Sequence, residues 1–236
     1  MKKRKWLSLI LLPIFLLTLG AGSMTPNETG TRYLALTFDD GPRRETTERL
    51  LDGLAERNAK ATFFVIGDQI EGNEDLIRRM DAEGHQIGNH TARHTNLQRS
   101  SAEQTVTEIN KTEVALNSAL GKSGNYWLRP PWGLIGRSQQ RLIKTPMIHW
   151  SIDPEDWKTL NTAQVVEQVV RQAEDGAIVL LHDYYPSSVD AALQIIDILQ
   201  KQGYQFVTVE ELFAQEGVTA ENGQIYKTPT SKGVLS

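Results

Sequence analysis

Residues Tyr33–Gly41 read YLALTFDDG: an apolar run, then Thr37 and Phe38, then two adjacent carboxylates and a glycine. A short apolar stretch that ends in turn chemistry predicts a strand whose C-terminal end carries the polar residues. The same arrangement recurs outward from it. Apolar runs stand at Ala61–Ile66, His85–Gly88, Tyr126–Leu128, Pro146–Ile152, Ala177–Leu181 and Tyr204–Val209. Helical patterns lie between them at about Glu45–Asn58, Asn73–Glu83, Ser100–Leu120, Gly136–Lys144, Thr162–Glu174, Ser188–Gln202 and Glu210–Glu216. Leu50, Leu51, Leu54 and Ala55 show the helical spacing. Strands separated by helices pair in parallel through crossover connections, and a continuous run such as AIVLL suits a strand covered on both faces. Seven strand–helix units predict an α/β fold of the (β/α) barrel kind, one unit short of eight. A doubly wound open sheet is the competing architecture. No glycine-rich fingerprint follows the first strand, which weighs against a dinucleotide-binding form of it.

The chain has 236 residues, 39% hydrophobic and 23% charged, a globular composition large enough for one buried core. Its N-terminus differs from the rest. Met1–Lys5 reads MKKRK and Trp6–Leu19 reads WLSLILLPIFLLTL. A basic block before an apolar one predicts a signal peptide over residues 1–23, cleaved after Ser23, or an N-terminal membrane anchor. Either outcome puts the domain outside the cytoplasmic membrane, secreted or tethered and associated with the cell wall. Removing residues 1–23 takes four positive charges and no negative one from a chain of net charge −4, leaving −8. That balance argues against nucleic acid as partner, since phosphate binding needs a Lys/Arg surplus. The absence of cysteine excludes disulfides and thiol catalysis. Residues 24–31 are expected to be a linker, 32–216 a single domain, and 217–236 a flexible tail in which Ile225 and Tyr226 could add a short docking segment. The expected oligomeric state is a monomer.

In parallel barrels reactive groups gather where strands end. Here TFDDG (Thr37–Gly41), HTARH (His90–His94), RPPWG (Arg129–Gly133), DPEDW (Asp153–Trp157) and LLHD (Leu180–Asp183) all fall at such ends. His90 and His94 stand four apart, a spacing that on a helical turn puts both imidazoles on one face. Two exposed histidines are the bland alternative, and for Asp39-Asp40 a turn with a helix cap. Adjacent carboxylates at a strand end are costly unless a cation neutralises them, and a divalent metal does so. Two imidazoles and one carboxylate leave open coordination positions, as in catalytic sites. The mixed ligation favours Zn2+, with Co2+ or Ni2+ also fitting. His85 and His149 read as locally bonded residues, Asp153 and Asp183 as loop caps or braces, and Tyr184 and Tyr185 as loop packing or sugar stacking.

The five segments, in this order from about Tyr33 to Phe213, resemble the motif set of the polysaccharide deacetylase family, the NodB-homology domain of carbohydrate esterase family 4. Bacterial peptidoglycan N-acetylglucosamine and N-acetylmuramic acid deacetylases are among the proteins it resembles. The resemblance implies a distorted (β/α)7 barrel that hydrolyses acetamido groups on amino sugars of a polysaccharide. It implies Asp39 as general base, Asp40, His90 and His94 as metal ligands, and Arg129 as the group orienting Asp39. It implies His182 as general acid paired with Asp156, and the backbone N–H of Trp132 as oxyanion donor. Trp157, Leu180, Trp132 and Pro130 would contact substrate. Trp132 departs from the tyrosine common at its place, which alters the cleft contact but keeps the backbone donor. Cell-wall peptidoglycan is the expected substrate, with chitin-like oligomers or exopolysaccharide as the alternative. An inactive glycan-binding relative is disfavoured because every functional group is present, and a cyclic-amide hydrolase because of the export signal.

Overall fold

The computed structural model describes residues 30–232. The signal or anchor expected over residues 1–23, and most of the linker, lie outside the described residues. The strands are β1 (Arg32–Asp39), β2 (Ala61–Val65), β3 (Gln86–Asn89), β4 (Met147–Ile148), β5 (Ala177–His182), β6 (Tyr204–Phe206), β7 (Ile225–Thr228) and β8 (Ser231–Lys232). The helices are α1 (Arg44–Glu56), α2 (Glu74–Ala82), α3 (Ala102–Leu120), α4 (Arg137–Gln140), α5 (Asp156–Thr159), α6 (Thr162–Gln172), α7 (Pro186–Lys201) and α8 (Val209–Gln215).

β1 is the axis of the fold. One edge pairs in parallel with β5 from Leu34↔Ala177 to Asp39↔His182. The other edge is shared, by β6 at Arg32–Leu34 and by β2 at Leu36–Asp39. β2 continues to β3 in parallel. Single parallel bridges close the ring: Asn89↔Leu128, Leu128↔Met147 and Ile152↔Val179. The result is a distorted barrel in one domain, as the alternation of runs and helices implies.

The helices start and stop where their sequences say. The Ser101 side chain caps α3 by accepting from Gln104 N–H at 3.0 Å, and Gly121 ends it at φ 66°. Thr208 and Glu211 form a reciprocal capping box on α8. The main core packs Leu50, Leu51 and Leu54 of α1 and Ile195, Ile196 and Leu199 of α7 against Leu34, Leu36, Phe38 and Phe63 of the sheet. No helix among the described residues is long and apolar enough to cross a membrane.

Two expected elements shrink. Of the run Pro146–Ile152, only Met147–Ile148 is strand. Pro146 brings no N–H, and the carbonyls of Ile148 and His149 are taken by the Arg129 guanidinium at 3.1 and 2.8 Å. The helix expected over Gly136–Lys144 is the single turn α4.

Within the expected tail, Ile225 and Tyr226 add a docking segment: they lie in β7, which pairs in parallel with β4 at Met147↔Ile225 and Ile148↔Tyr226. Ile225 and Tyr226 are each 1% exposed, and the Tyr226 ring meets Phe213 edge-on at 5.1 Å. The ledge left by a two-residue strand needs a partner, and two apolar residues are enough to supply it.

Candidate active site

All five polar segments meet at one end of the barrel. Asp39, Asp40, His90, His94, Trp132, Trp150, Asp153, Trp157, Leu180, His182 and Tyr185 line a cleft of about 270 Å³.

Asp40 leaves the end of β1 at φ 70°. Its Oδ1 lies 3.5 Å from His90 Nε2 and 3.4 Å from His94 Nε2. The two histidines do not sit on a helical turn, as their spacing suggested. They lie in a loop after β3 in which Thr91 (φ 66°) and His94 (φ 54°) take the left-handed conformation. That backbone folds the loop back and brings the rings to 4.9 Å between centroids. His90 Nδ1 donates to the Arg129 carbonyl at 2.7 Å, so its Nε2 keeps a free lone pair facing Asp40.

This donor set fits a divalent cation. One potential ligand atom from each of Asp40, His90 and His94 lies within 4.8 Å of the others. Asp40 Oδ1 is buried with no hydrogen-bond partner among the described residues, a costly state for a lone carboxylate oxygen. Burial, with Asp39 adding to it, pushes the Asp40 carboxyl above its ordinary range. Burial pulls both imidazoles down, toward the neutral form that binds metal.

Asp39 is set by the opposite balance. Burial alone would raise its carboxyl, but Arg129, aided by His90 and His182, holds it below the usual range. Arg129 is fully buried. It donates to Asp39 Oδ1 at 2.8 Å and to Thr37 Oγ1 at 2.7 Å, and its guanidinium lies 4.2 Å from the Phe64 ring centroid. With the two strand carbonyls, those contacts fix it in place. On β5, burial would lower the His182 imidazole, but the Asp156 hydrogen bond and charge raise it to about 9.

Trp132 sits in a turn at φ 57°, with its ring edge-on to His94 at 4.2 Å. Its N–H makes no hydrogen bond within the described protein, a free donor beside the histidines. Gly133 follows at φ 68°, and a side chain there would press on Trp150 at 3.2 Å. Trp132 and Trp157 are 57% and 48% exposed, open to solvent at the cleft. Leu180 is 4% exposed and lines the floor. Pro130 differs from expectation: it is buried and does not line the cleft, and its carbonyl accepts from Gly133 N–H to shape the turn.

The residues read as bland behave variously. His85 Nδ1 accepts from Ala61 N–H at 3.2 Å, and burial lowers the ring to about 4. Asp183 is buried, accepts from the Thr47 hydroxyl and lies so close to Gly41 that a Cβ there would fall 2.4 Å from its carboxylate. It therefore packs under the turn that carries Asp40. Trp150 lines the cleft without any signal in the sequence, because it belongs to no polar cluster.

The chain is similar to known proteins along most of its length. A family model described as polysaccharide deacetylase matches residues 26–145. The chain is 38% identical over 191 residues to the peptidoglycan-N-acetylglucosamine deacetylase PgdA of Listeria monocytogenes serotype 1/2a (strain 10403S), covering 81% of the chain and 41% of that protein. It is 40% identical over 190 residues to the peptidoglycan-N-acetylmuramic acid deacetylase PdaC of Bacillus subtilis (strain 168), covering 80% and 40%. The chain thus spans about 40% of the length of these relatives. Among solved structures, a family 4 acetyl xylan esterase from Clostridium thermocellum in complex with a cobalt ion superposes with TM-score 0.80 at 31% identity, covering 85% of this chain and 100% of that one.

Proposed function

The chain belongs to the polysaccharide deacetylase family, and from that membership we propose that it removes N-acetyl groups from amino sugars of cell-wall peptidoglycan, releasing acetate, outside the cytoplasmic membrane. The observation that carries the proposal is the convergence of three kinds of group on one cleft. Asp40, His90 and His94 are placed to hold a cation, Asp39 is a carboxylate held by Arg129, and His182 is an imidazole held by Asp156.

A divalent cation bound by Asp40, His90 and His94 would polarise the acetamido carbonyl and acidify water beside it; Zn2+ suits the ligands, and Co2+ or Ni2+ would serve. The chain's own residues do the rest. Asp39, kept ionised by Arg129, takes the proton from the attacking water. The free N–H of Trp132 donates to the carbonyl oxygen as negative charge grows on it. His182, with Nδ1–H given to Asp156 at 2.8 Å, presents Nε2 to the leaving sugar nitrogen and delivers the proton that makes it an amine. Trp132 and Trp157 offer apolar faces to the sugar rings, and Leu180 lies where the acetyl methyl would be sheltered from water.

The test is mass spectrometry of muropeptides after treatment of acetylated cell wall with the purified, metal-loaded protein, alongside acetate release. Loss of one acetyl mass per sugar with stoichiometric acetate is expected. Acetate release from a chitin-like oligomer alone would overturn the peptidoglycan assignment, and release from neither would overturn the deacetylase reading.

A further inference from the structure

Two successive arginines, Arg43 at the N-cap and Arg44 at the first position, open α1 just after Asp40, and they are used differently. Arg44 is paired with Asp75 at 2.6 Å, and Arg49, one turn later, with Asp190 at 2.6 Å. Arg43 has no carboxylate partner among the described residues and is exposed. Its guanidinium lies over the Tyr184 ring, 4.1 Å from the centroid. Tyr184 in turn meets Tyr185 edge-on at 5.1 Å, and Tyr185 lines the cleft beside Asp40, His94 and His182. The Arg43 backbone is also fixed, since its N–H donates to Thr47 Oγ1 at 2.8 Å. A cation is thereby held on an aromatic platform one ring outside the cleft. The Arg43 backbone stands within roughly 10 Å of that of Asp40, the reach of three extended residues.

The charge around it makes the placement informative. The cleft is lined by Asp39, Asp40 and Asp153, on a chain whose formal net charge is −4. Of the side-chain cations near this wall, Arg129 is committed to Asp39 and His182 to Asp156, so a carboxylate outside the reaction centre would meet the uncommitted Arg43. Stacking on a ring occupies the face of the guanidinium and leaves its N–H edge free, the edge that binds a carboxylate with two hydrogen bonds. A structural arginine would close that edge on a protein acceptor, as Arg44 and Arg49 do.

We propose that Arg43, held by Tyr184, forms an outer subsite for a carboxylate borne by the glycan, so that the enzyme selects anionic N-acetylated glycans over neutral ones. This deepens the peptidoglycan reading and rests on it for the catalytic readout alone. The subsite would take a free carboxylate on a sugar neighbouring the one being deacetylated, such as that of a lactyl ether carrying no peptide.

The test uses the full chain and two probes: a glycan oligomer bearing lactyl-ether carboxylates, and the same oligomer with those carboxylates methyl-esterified. Equilibrium binding and acetate release are measured for the wild type, Arg43→Gln and Arg43→Lys. The wild type should prefer the free acid. Arg43→Gln should cut that preference about tenfold, through KM rather than kcat, the worth of one charge-assisted contact at a half-open site. Arg43→Lys should retain part of the preference. Equal affinity of the wild type for both probes would overturn the subsite, and so would an equal loss on both in Arg43→Gln, which marks a structural role. Binding preference without any acetate release would leave the subsite standing and remove the deacetylase reading instead.

Discussion

Asp156 grips His182 twice: its Oδ2 accepts the His182 backbone N–H at 2.9 Å, and its Oδ1 accepts from ring Nδ1 at 2.8 Å. The backbone bond fixes the end of β5 and the ring bond fixes the tautomer. Together they keep the proposed acid charged, up to about 9. The alkaline limb of a kcat–pH profile should therefore fall near that value. Asp156→Asn removes the charge and should move the limb toward the ordinary histidine value of about 6.5. A limb that stays put in the variant would assign it to another group.

The same pair makes a stability prediction. A histidine whose folded pKa is raised binds its proton more tightly in the folded state. Its contribution is complete below the unfolded value of about 6.5 and disappears as pH rises through about 9. Asp156→Asn should thus lower Tm most at acidic pH and least above about 9, as read by thermal melts across that range.

Metal binding should depend on His90 and His94. Either alanine variant should lose metal affinity more than about 100-fold, beyond what loss of an outer partner costs, with an unchanged circular dichroism spectrum. Metal content after dialysis, measured by elemental analysis, checks this. Asp39→Asn is the control. It should keep its metal yet lose turnover by about 10²–10⁴, because an amide cannot take the water proton.

Gly133→Ala should separate geometry from binding. The substitution strains a φ of 68° and pushes a methyl to 3.2 Å from Trp150, displacing the neighbouring Trp132 N–H. A fall in kcat of up to about 10² is expected with KM little changed. A rise in KM alone would mean that the turn serves binding and not the developing charge.

Much of this site is legible in the sequence because strand ends are legible. Asp39, Asp40, Arg129 and His182 each stand at the end of an apolar run, Asp156 opens the short helix after one, and β1 and β5 pair so that Asp39 and His182 stand in register. Other features leave no such trace. The left-handed residues Thr91 and His94 have no glycine to announce them. Trp150 looks like any aromatic in an apolar run, although it lines the cleft. The pattern IYKT is too short to distinguish from loop, and only the open edge of β4 makes it a strand. Pro130 belongs to the same motif as Trp132, but its burial and the bond from Gly133 N–H to its carbonyl leave no trace in the sequence.

Tyr226→Ala should destabilise the protein by about 3–5 kcal/mol, as large aromatic truncations in cores do. Guanidinium unfolding would measure it. A loss under about 1 kcal/mol would mean that β7 is a loose attachment.

The pairing of β7 with β4 also ties one side of the cleft to a distant stretch of the chain. Asp40, His90 and His94 follow β1 and β3, but the wall bearing His149 and Trp150 leans on β7. The His149 N–H is held by the Tyr226 carbonyl at 2.8 Å, and Ile148 packs in the same cluster as the Tyr226 ring. A chain lacking Ile225–Thr228 would carry every residue of the chemistry and leave one side of the cleft unsupported.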